Sequence, residues 1–219
     1  YTVKDTLSLH DALPISAEPA LCDALAAAPL PVVAACAGAL EDGAVELVLA
    51  AAYRLATPAT TFAFPGIGAG RLPRAEAVQR LVRRAGGAGA AALLLHPRTL
   101  PAPEAERTGL VDGVARGALE AACLSLARRL AGAAIGPRAG AMPEDDRAPV
   151  ALVPDPGLAC RAPGAVAALQ ACLAAAAGRP GRQGPPGSDS RGAADAIAAY
   201  DGSAEAAALS RLARARAAV

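Results

Sequence analysis

The chain has 219 residues, 54% of them hydrophobic and 19% charged, with a formal net charge of +1. This length predicts one or two domains. Proline, glycine or a charged residue interrupts every apolar run before it reaches the roughly 18 residues of a membrane span, so we exclude a transmembrane protein. A near-neutral charge and an aromatic content of 2% argue against nucleic-acid binding, which needs a basic face and rings that stack on bases.

Residues 1–16 differ in composition from the rest of the chain. Lys4 is the single lysine among 21 basic residues, and from Ala17 onward arginine takes its place. The run TLSLHDALPI, Thr6–Ile15, matches the conceptual translation of a common sequencing-library adapter. We therefore interpret residues 1–16 as foreign sequence, exclude them from fold prediction and expect the natural N-terminal part to be missing. A natural N-terminal arm is the alternative, and the genomic sequence upstream of Ala17 distinguishes the two.

The cysteines and histidines do not form a recognisable site. The five cysteines are odd in number and include no C-x-x-C pair, so neither a disulfide framework nor a metal site is expected. His96 is the only histidine outside residues 1–16, which leaves no pattern for a Ser/His/Asp triad. We predict that the cysteines act as small apolar side chains in a reducing cytosol and that His96 is a solvated loop residue.

The first half of the chain predicts alternating strands and helices. Pro31–Cys36 is apolar with paired valines, which is typical of a buried strand. Ala37–Gly43 predicts a turn, and Ala44–Tyr53 predicts a buried helix because it consists mainly of helix formers. Thr60–Phe64 predicts a second strand, and the glycines of residues 66–70 predict a loop.

The middle of the chain predicts mainly helices. Ala75–Arg84 is amphipathic, and the glycine pair Gly86 and Gly87 is expected to end this helix. The next predicted elements are helices over Ala88–Leu95, Pro103–Thr108 and Leu119–Leu130 and an extended segment over Leu110–Val114.

The last third of the chain has a different composition. Residues 133–164 are rich in proline, glycine and charge, and Gly178–Gly192 has the composition of a flexible linker. Two alanine-rich segments, Ala165–Ala177 and Ala193–Ala218, predict helices. Because alanine has little apolar surface, we expect these helices to bury only a modest face.

Gly43 and Glu46 form the first candidate site. A glycine at the start of a buried helix lets a backbone N–H approach a ligand oxygen, and the helix N-terminus stabilises negative charge there. An ordinary helix start, with Glu46 as a first-turn carboxylate that stabilises the helix, is the alternative. This feature alone does not identify a function.

Three blocks of sequence resemble the second half of the enoyl-CoA hydratase/isomerase (crotonase) superfamily. The first block, Pro31–Ala56 (PVVAACAGALEDGAVELVLAAAYRLA), is similar without a gap to the family pattern P-V-I-A-A-V-N-G-x-A-x-G-G-G-x-E-L-A-L-A-C-D-x-R-I-A. The second, Phe62–Arg83, and the third, Leu93–Val114, follow in order and at the family's spacing. The resemblance covers residues 30–130, nearly half of the chain.

The resemblance implies a site and a chemistry. In the family, an oxyanion hole binds the thioester oxygen of an acyl-CoA, and two glutamates activate a water that adds across the double bond. One oxyanion N–H falls on Gly43, and the first catalytic glutamate falls on Glu46. The second glutamate falls on Gly66, which carries no acid. The other oxyanion donor belongs to a segment upstream of Leu30.

The departures from the family pattern predict impaired catalysis. The family's G-G-G reads Asp42, Gly43, Ala44, which places a carboxylate beside a hole meant for negative charge. A family glycine falls on Arg74, and the second glutamate is absent at Gly66. We expect no measurable turnover from the chain as printed and a gain of activity on Gly66→Glu if the site is a decayed one. Isomerase activity is less supported than hydration, because isomerases of the family rely chiefly on the position of Gly66.

Four arginines around the predicted helix Ala75–Arg84 have two interpretations. They either meet CoA phosphates or form a solvated helix face, and we favour the solvated face. These are Arg74, Arg80, Arg83 and Arg84.

The resemblance implies an α/β fold, a crotonase-like spiral of ββα units that is N-terminally truncated and followed by a linker and C-terminal helices. We divide the chain into residues 1–16 (foreign sequence), 17–132 (partial crotonase-like domain), 133–192 (Pro/Gly-rich linker with one helix) and 193–219 (C-terminal helix).

The function implied is that of an enoyl-CoA hydratase-type protein of fatty-acid β-oxidation, a lyase. The alternatives are an inactive acyl-CoA-binding or scaffold protein and a fragment of a multifunctional hydratase/3-hydroxyacyl-CoA dehydrogenase, so whether this copy is an enzyme stays open. No cofactor or metal is expected, since the CoA thioester is the substrate. The expected partners are acyl-CoA and further copies of the chain in a trimer-type homo-oligomer, without nucleic acid, and the expected location is cytoplasmic.

Overall fold

The computed structural model describes residues 18–96, 98–132, 152–177 and 191–217. The segment interpreted as foreign sequence, and residues 133–151 and 178–190 of the predicted linker, lie outside these ranges. The strands are β1 (Val33–Cys36), β2 (Ala39–Glu41), β3 (Tyr53–Ala56), β4 (Thr61–Ala63), β5 (Leu100–Pro101) and β6 (Gly113–Val114). The helices are α1 (Glu18–Ala26), α2 (Gly43–Ala50), α3 (Ala75–Leu94), α4 (Ala102–Arg107), α5 (Leu119–Gly132), α6 (Pro156–Arg161), α7 (Pro163–Ala177), α8 (Arg191–Asp201) and α9 (Ala204–Ala217), with a 3₁₀ helix over Pro65–Ala69.

The strands form two three-stranded sheets, and β1 to β4 alternate between them. One sheet has the order β1-β3-β6 and is parallel, and the other has the order β2-β4-β5, with β2 and β4 parallel. The order β1-β2-α2 is followed by β3-β4-α3, so equivalent strands of successive ββα units pair with each other. Val33 faces Tyr53 in the first sheet, and Ala39 faces Thr61 in the second. The predicted α/β fold with repeated ββα units is therefore confirmed.

The structure differs from three predictions between Ala37 and Gly70. The predicted turn Ala37–Gly43 contains the short strand β2, and the predicted helix to Tyr53 ends at Ala50 because Tyr53 already belongs to β3. Pairing with β1 and β6 on its two sides holds β3 extended despite the alanines that precede it. The predicted loop at residues 66–70 is mostly the 3₁₀ helix, whose Gly70 N–H donates to the Ile67 carbonyl at 3.0 Å.

The glycine pair interrupts α3 as predicted, whereas the C-terminal end of the chain differs from prediction. Gly86 has non-helical dihedral angles, with φ at 68° and ψ at 172°, so α3 consists of two helical stretches that meet at a kink and end at Leu94. Glycine adopts this positive φ without the steric penalty of a side chain. The predicted single C-terminal helix is two helices, α8 and α9. The second begins after Ser203, whose Oγ accepts a hydrogen bond from the Ala206 N–H at 3.1 Å and so caps it.

The C-terminal helices contribute substantially to the core. Leu169, Cys172 and Leu173 of α7 and Tyr200 of α8 are buried in the same hydrophobic cluster as α2 and α3. The prediction that these helices bury only a modest face is wrong, because their alanines permit close approach while a few larger side chains fill the interface. No helix within the described ranges is long and apolar enough to cross a membrane.

An ion pair between a buried arginine and a partly exposed aspartate joins β3 to the segment before β6. The Arg54 side chain is 0% exposed and donates to Asp112 Oδ2 at 2.7 Å and to the Ala51 carbonyl at 2.9 Å. Asp112 also accepts a bond from the Arg54 backbone N–H at 2.8 Å and lies 3.5 Å from Arg84 Nη1. Asp112 is thus a central partner of two guanidinium groups, and sequence reasoning did not identify it.

Replacing Gly109 with alanine is expected to destabilise the fold by about 1–3 kcal/mol, because a strained backbone position costs that much. Gly109 follows α4 with φ at 77°, and a Cβ there would lie 2.6 Å from the Arg84 carbonyl oxygen. Urea unfolding measures the effect. Gly117→Ala is the matched control, since a Cβ at Gly117 meets nothing within 4 Å. Equal midpoints for the two variants would contradict this account.

Stability is expected to fall on alkaline titration. Burial raises the pKa of Cys36 to about 12 and that of Cys172 to about 11, from an ordinary value of 9.0. The unfolded thiols therefore lose protons first, so the stabilisation is complete below pH 9.0 and disappears as the pH rises through about 11 to 12. The urea midpoint at about pH 10.5 should lie below that at about pH 8.

Changing the buried thiols tests the cause of this pH dependence. Cys36→Ala together with Cys172→Ala should weaken it, whereas Cys160→Ala should not, because Cys160 is exposed. A loss of stability between about pH 8 and about pH 10.5 that is as large in the double variant as in the unchanged chain would assign the alkaline loss to other groups.

Candidate active site

The candidate site lies where the start of α2 meets the 3₁₀ helix and the segment before α3. A sharp turn at Asp42, with φ at 45° and ψ at −113°, starts the helix. The Asp42 carbonyl accepts bonds from the N–H groups of Val45 and Glu46 at 3.0 and 3.2 Å. From Val45 onward the helix is buried, so its first turn is anchored in the core and faces the neighbouring segments.

Gly43 is the first residue of α2. Its N–H therefore has no acceptor within the helix, and the helix N-terminus adds partial positive charge at this point. Such a position suits an oxygen that carries or gains negative charge. The structure thus places Gly43 in a setting compatible with an oxyanion donor.

Glu46 lies in the first turn of α2, with its side chain 11% exposed. Its Oε2 is 3.1 Å from Arg74 Nε, and its Oε1 accepts a weaker bond from the Arg74 backbone N–H at 3.4 Å. Burial alone would lower the pKa of Arg74, but the hydrogen bond to Glu46 and the surrounding negative charge raise it above its ordinary value. The carboxylate is therefore fixed in orientation and faces a permanent positive charge.

Gly66 lies in the 3₁₀ helix and is buried. Its N–H donates to Asp42 Oδ1 at 2.9 Å, and Arg71 Nη2 lies 3.2 Å from Asp42 Oδ2. The structure thus brings the start of α2 together with the position where the family's second glutamate falls. Sequence reasoning treated Asp42 only as an unfavourable charge, since the partners of a side chain 24 residues away are not visible in a local pattern.

Three of the four arginines assigned to a solvated face are largely buried instead. Besides Arg74, Arg80 Nη2 lies 3.8 Å from Asp23 Oδ1 of α1, and Arg84 Nη2 donates to the Ala52 carbonyl at 2.9 Å. All three side chains are mostly buried, so the solvated-face prediction is wrong for them. The fourth, Arg83, is exposed as predicted. These partners place the three arginines in the packing between α3 and its neighbours.

The C-terminal helices cover one end of the site. Gly70 closes the 3₁₀ helix with φ at 76°, and a Cβ there would lie 2.9 Å from Leu209 Cβ and 3.2 Å from Tyr200 Oη. Helices α8 and α9 therefore support the segment that carries Gly66, a contact that sequence reasoning missed. Within the described ranges, no group of three or more His, Cys, Asp or Glu residues is arranged to hold a metal ion.

Comparison with known proteins identifies relatives of the chain. A sequence model of the enoyl-CoA hydratase/isomerase family matches residues 3–140. This match begins within residues 1–16, whose foreign origin stays a prediction. A probable enoyl-CoA hydratase of Mycobacterium leprae is 42% identical over 90 residues, covering 41% of this chain and 35% of that protein. The protein of the same description from Mycobacterium tuberculosis gives the same values.

A solved structure supports the same relationship. The crystal structure of an enoyl-CoA hydratase from Bacillus anthracis superposes with a TM-score of 0.51 at 29% identity, covering 54% of this chain and 46% of that one. The chain thus spans about a third of the length of the curated relatives it matches and about half of this structure.

Proposed function

Because the chain belongs to the enoyl-CoA hydratase/isomerase family, we propose that its site binds an acyl-CoA thioester and adds water to a 2-enoyl-CoA. This is the hydration step of fatty-acid β-oxidation. The observation that carries the proposal is the placement of Gly43 and Glu46 on the first turn of one buried helix. A backbone donor and a carboxylate are thereby held a fixed distance apart on a rigid element.

Each group has a role in the proposed addition. The N–H of Gly43 donates to the thioester oxygen and stabilises the negative charge that develops there as a water oxygen bonds to C3. Glu46 accepts a proton from that water and then returns a proton to C2, so the addition is balanced without a cofactor. Arg74 holds the Glu46 carboxylate in a fixed orientation through the contact at 3.1 Å.

A second candidate function is acyl-CoA binding without turnover. The observations that favour it are the absent side chain at Gly66 and the pairing of Glu46 with Arg74, which offsets the negative charge that a base uses to attract a proton. The trimer-type assembly, the cytoplasmic location and a following dehydrogenase half stay predictions from the resemblance.

Two assays separate these candidates. The first follows loss of the conjugated-thioester absorbance of crotonyl-CoA and detects 3-hydroxybutyryl-CoA by mass spectrometry. The second measures binding of butyryl-CoA, which has no double bond to hydrate. Hydration above a Glu46→Gln control supports the enzyme, and binding without hydration supports the second candidate. A chain that neither binds butyryl-CoA nor hydrates crotonyl-CoA contradicts both candidates. A chain that preferentially converts a 3-enoyl-CoA to its 2-isomer contradicts the proposal of hydration over isomerisation.

A further inference from the structure

We propose that Asp42 supplies the second carboxylate of this site, reaching from the start of α2 into the space that a side chain at position 66 would otherwise fill. This inference rests on the proposed hydration. It assigns a catalytic role to a residue that the family resemblance marks only as a departure from glycine.

Steric exclusion between positions 42 and 66 is the first support. A Cβ built on Gly66 would lie 2.6 Å from Asp42 Oδ2, 2.8 Å from Oδ1 and 2.9 Å from Cγ. Atoms that are not bonded to each other do not approach this closely, so a side chain at position 66 would have to displace the Asp42 carboxylate from its present position. The absence of a side chain at Gly66 therefore leaves the room that the carboxylate occupies beside the Gly66 N–H.

The backbone of Asp42 is the second support. Asp42 is the only non-glycine residue with positive φ among those that the structure describes. Strained backbone that persists is held by its surroundings and clusters at functional sites. Here the Gly66 N–H and the Arg71 guanidinium both bond to the carboxylate and hold it in place.

The environment of Asp42 fits a group that binds water. Its side chain is 31% exposed, and Arg71 offsets the charge that it places near the Gly43 N–H. In the proposed reaction, the Asp42 carboxylate accepts a hydrogen bond from the attacking water, while Glu46 takes the other proton of that water and later protonates C2. The two carboxylates thus come from one turn of α2, four residues apart.

This placement changes two expectations. Gly66→Glu alone should lower activity rather than raise it, because the new side chain displaces the Asp42 carboxylate from its contact with the Gly66 N–H. The unchanged chain should also show slow but measurable hydration, whereas the absence of the second glutamate alone predicts no measurable turnover.

Four variants test the proposal through kcat and KM for crotonyl-CoA, with butyryl-CoA binding and urea unfolding as checks on the fold. Asp42→Asn keeps the shape and the bond to Gly66 and should lower kcat by about 10²-fold, the lower end of a positioned group's effect, with KM little changed. Gly66→Glu should lower kcat as well, and Asp42→Gly with Gly66→Glu should return it to within about tenfold of the unchanged chain. Asp195→Asn, a matched change at an exposed carboxylate of α8, should have no effect.

The possible outcomes are distinct. Unchanged kcat in Asp42→Asn overturns the role of Asp42 while leaving the hydratase proposal intact. A double variant that is far more active than the unchanged chain also overturns the role of Asp42, because it shows that Asp42 only blocks a decayed site. If neither the unchanged chain nor any variant hydrates crotonyl-CoA, the proposed function is rejected. The catalytic role of Asp42 is then rejected as well. Loss of kcat in Asp42→Asn with recovery in the double variant supports the proposal.

Discussion

Replacing Glu46 with glutamine is expected to lower kcat for crotonyl-CoA hydration by about 10²- to 10⁴-fold, the range for removal of a positioned general acid–base group. Glutamine has nearly the same shape as glutamate but cannot take a proton from water. The oxyanion donor at Gly43 is untouched, so KM and butyryl-CoA affinity should change little. Stopped-flow or steady-state absorbance of the conjugated thioester measures the loss.

A matched control separates chemistry from helix stability. Glu120 also lies in the first turn of a helix, α5, and is exposed. Glu120→Gln removes a first-turn carboxylate of the same kind and should leave hydration unchanged. Because Glu46→Gln also deprives Arg74 of its charged partner, urea unfolding must show that the variant stays folded under assay conditions. Equal hydration by Glu46→Gln and the unchanged chain would reduce Glu46 to a helix-stabilising residue.

Replacing Asp112 with alanine is expected to destabilise the chain by about 3–5 kcal/mol, because it leaves a buried charge without its partner. Arg54 is 0% exposed, and Asp112 accepts bonds from both its side chain and its backbone N–H. Arg84 loses a neighbouring charge in the same change. Urea or guanidinium unfolding followed by circular dichroism measures the difference.

The cost should come from the uncompensated charge rather than from the lost pair itself. Arg54→Met combined with Asp112→Ala should therefore be less destabilised than Asp112→Ala alone, since apolar replacement of a buried pair is often nearly neutral. Asp195→Ala, at an exposed position of α8, provides the surface control. A loss below about 1 kcal/mol in Asp112→Ala, the range of exposed ion pairs, would contradict this interpretation.

The elements that sequence predicts well are those with a strong local pattern. Paired valines predict the strand that the structure places at Val33–Cys36, and the run of apolar helix formers predicts the buried helix Gly43–Ala50. Similarly, the amphipathic spacing after Arg74 predicts the first part of α3. In each case the residues that determine the element lie within it.

The elements that sequence misses depend on distant partners. β2 and β3 are three and four residues long and are extended because neighbouring strands supply their hydrogen bonds. The pair Arg54–Asp112 spans 58 residues, and the contact of Asp42 with Gly66 spans 24. The resemblance located Gly43, Glu46 and Gly66, but only coordinates reveal that the carboxylate of Asp42 fills the space beside Gly66.

Incorporation of a heavy oxygen isotope shows whether this site adds water to an enoyl thioester. Crotonyl-CoA incubated with the chain in H₂¹⁸O should yield 3-hydroxybutyryl-CoA that carries the heavy oxygen at C3, because the site adds solvent water to the double bond. The unchanged chain should form this product, and Glu46→Gln should form almost none. No labelled product above background, or equal labelling by both proteins, would contradict the proposed hydration at this site.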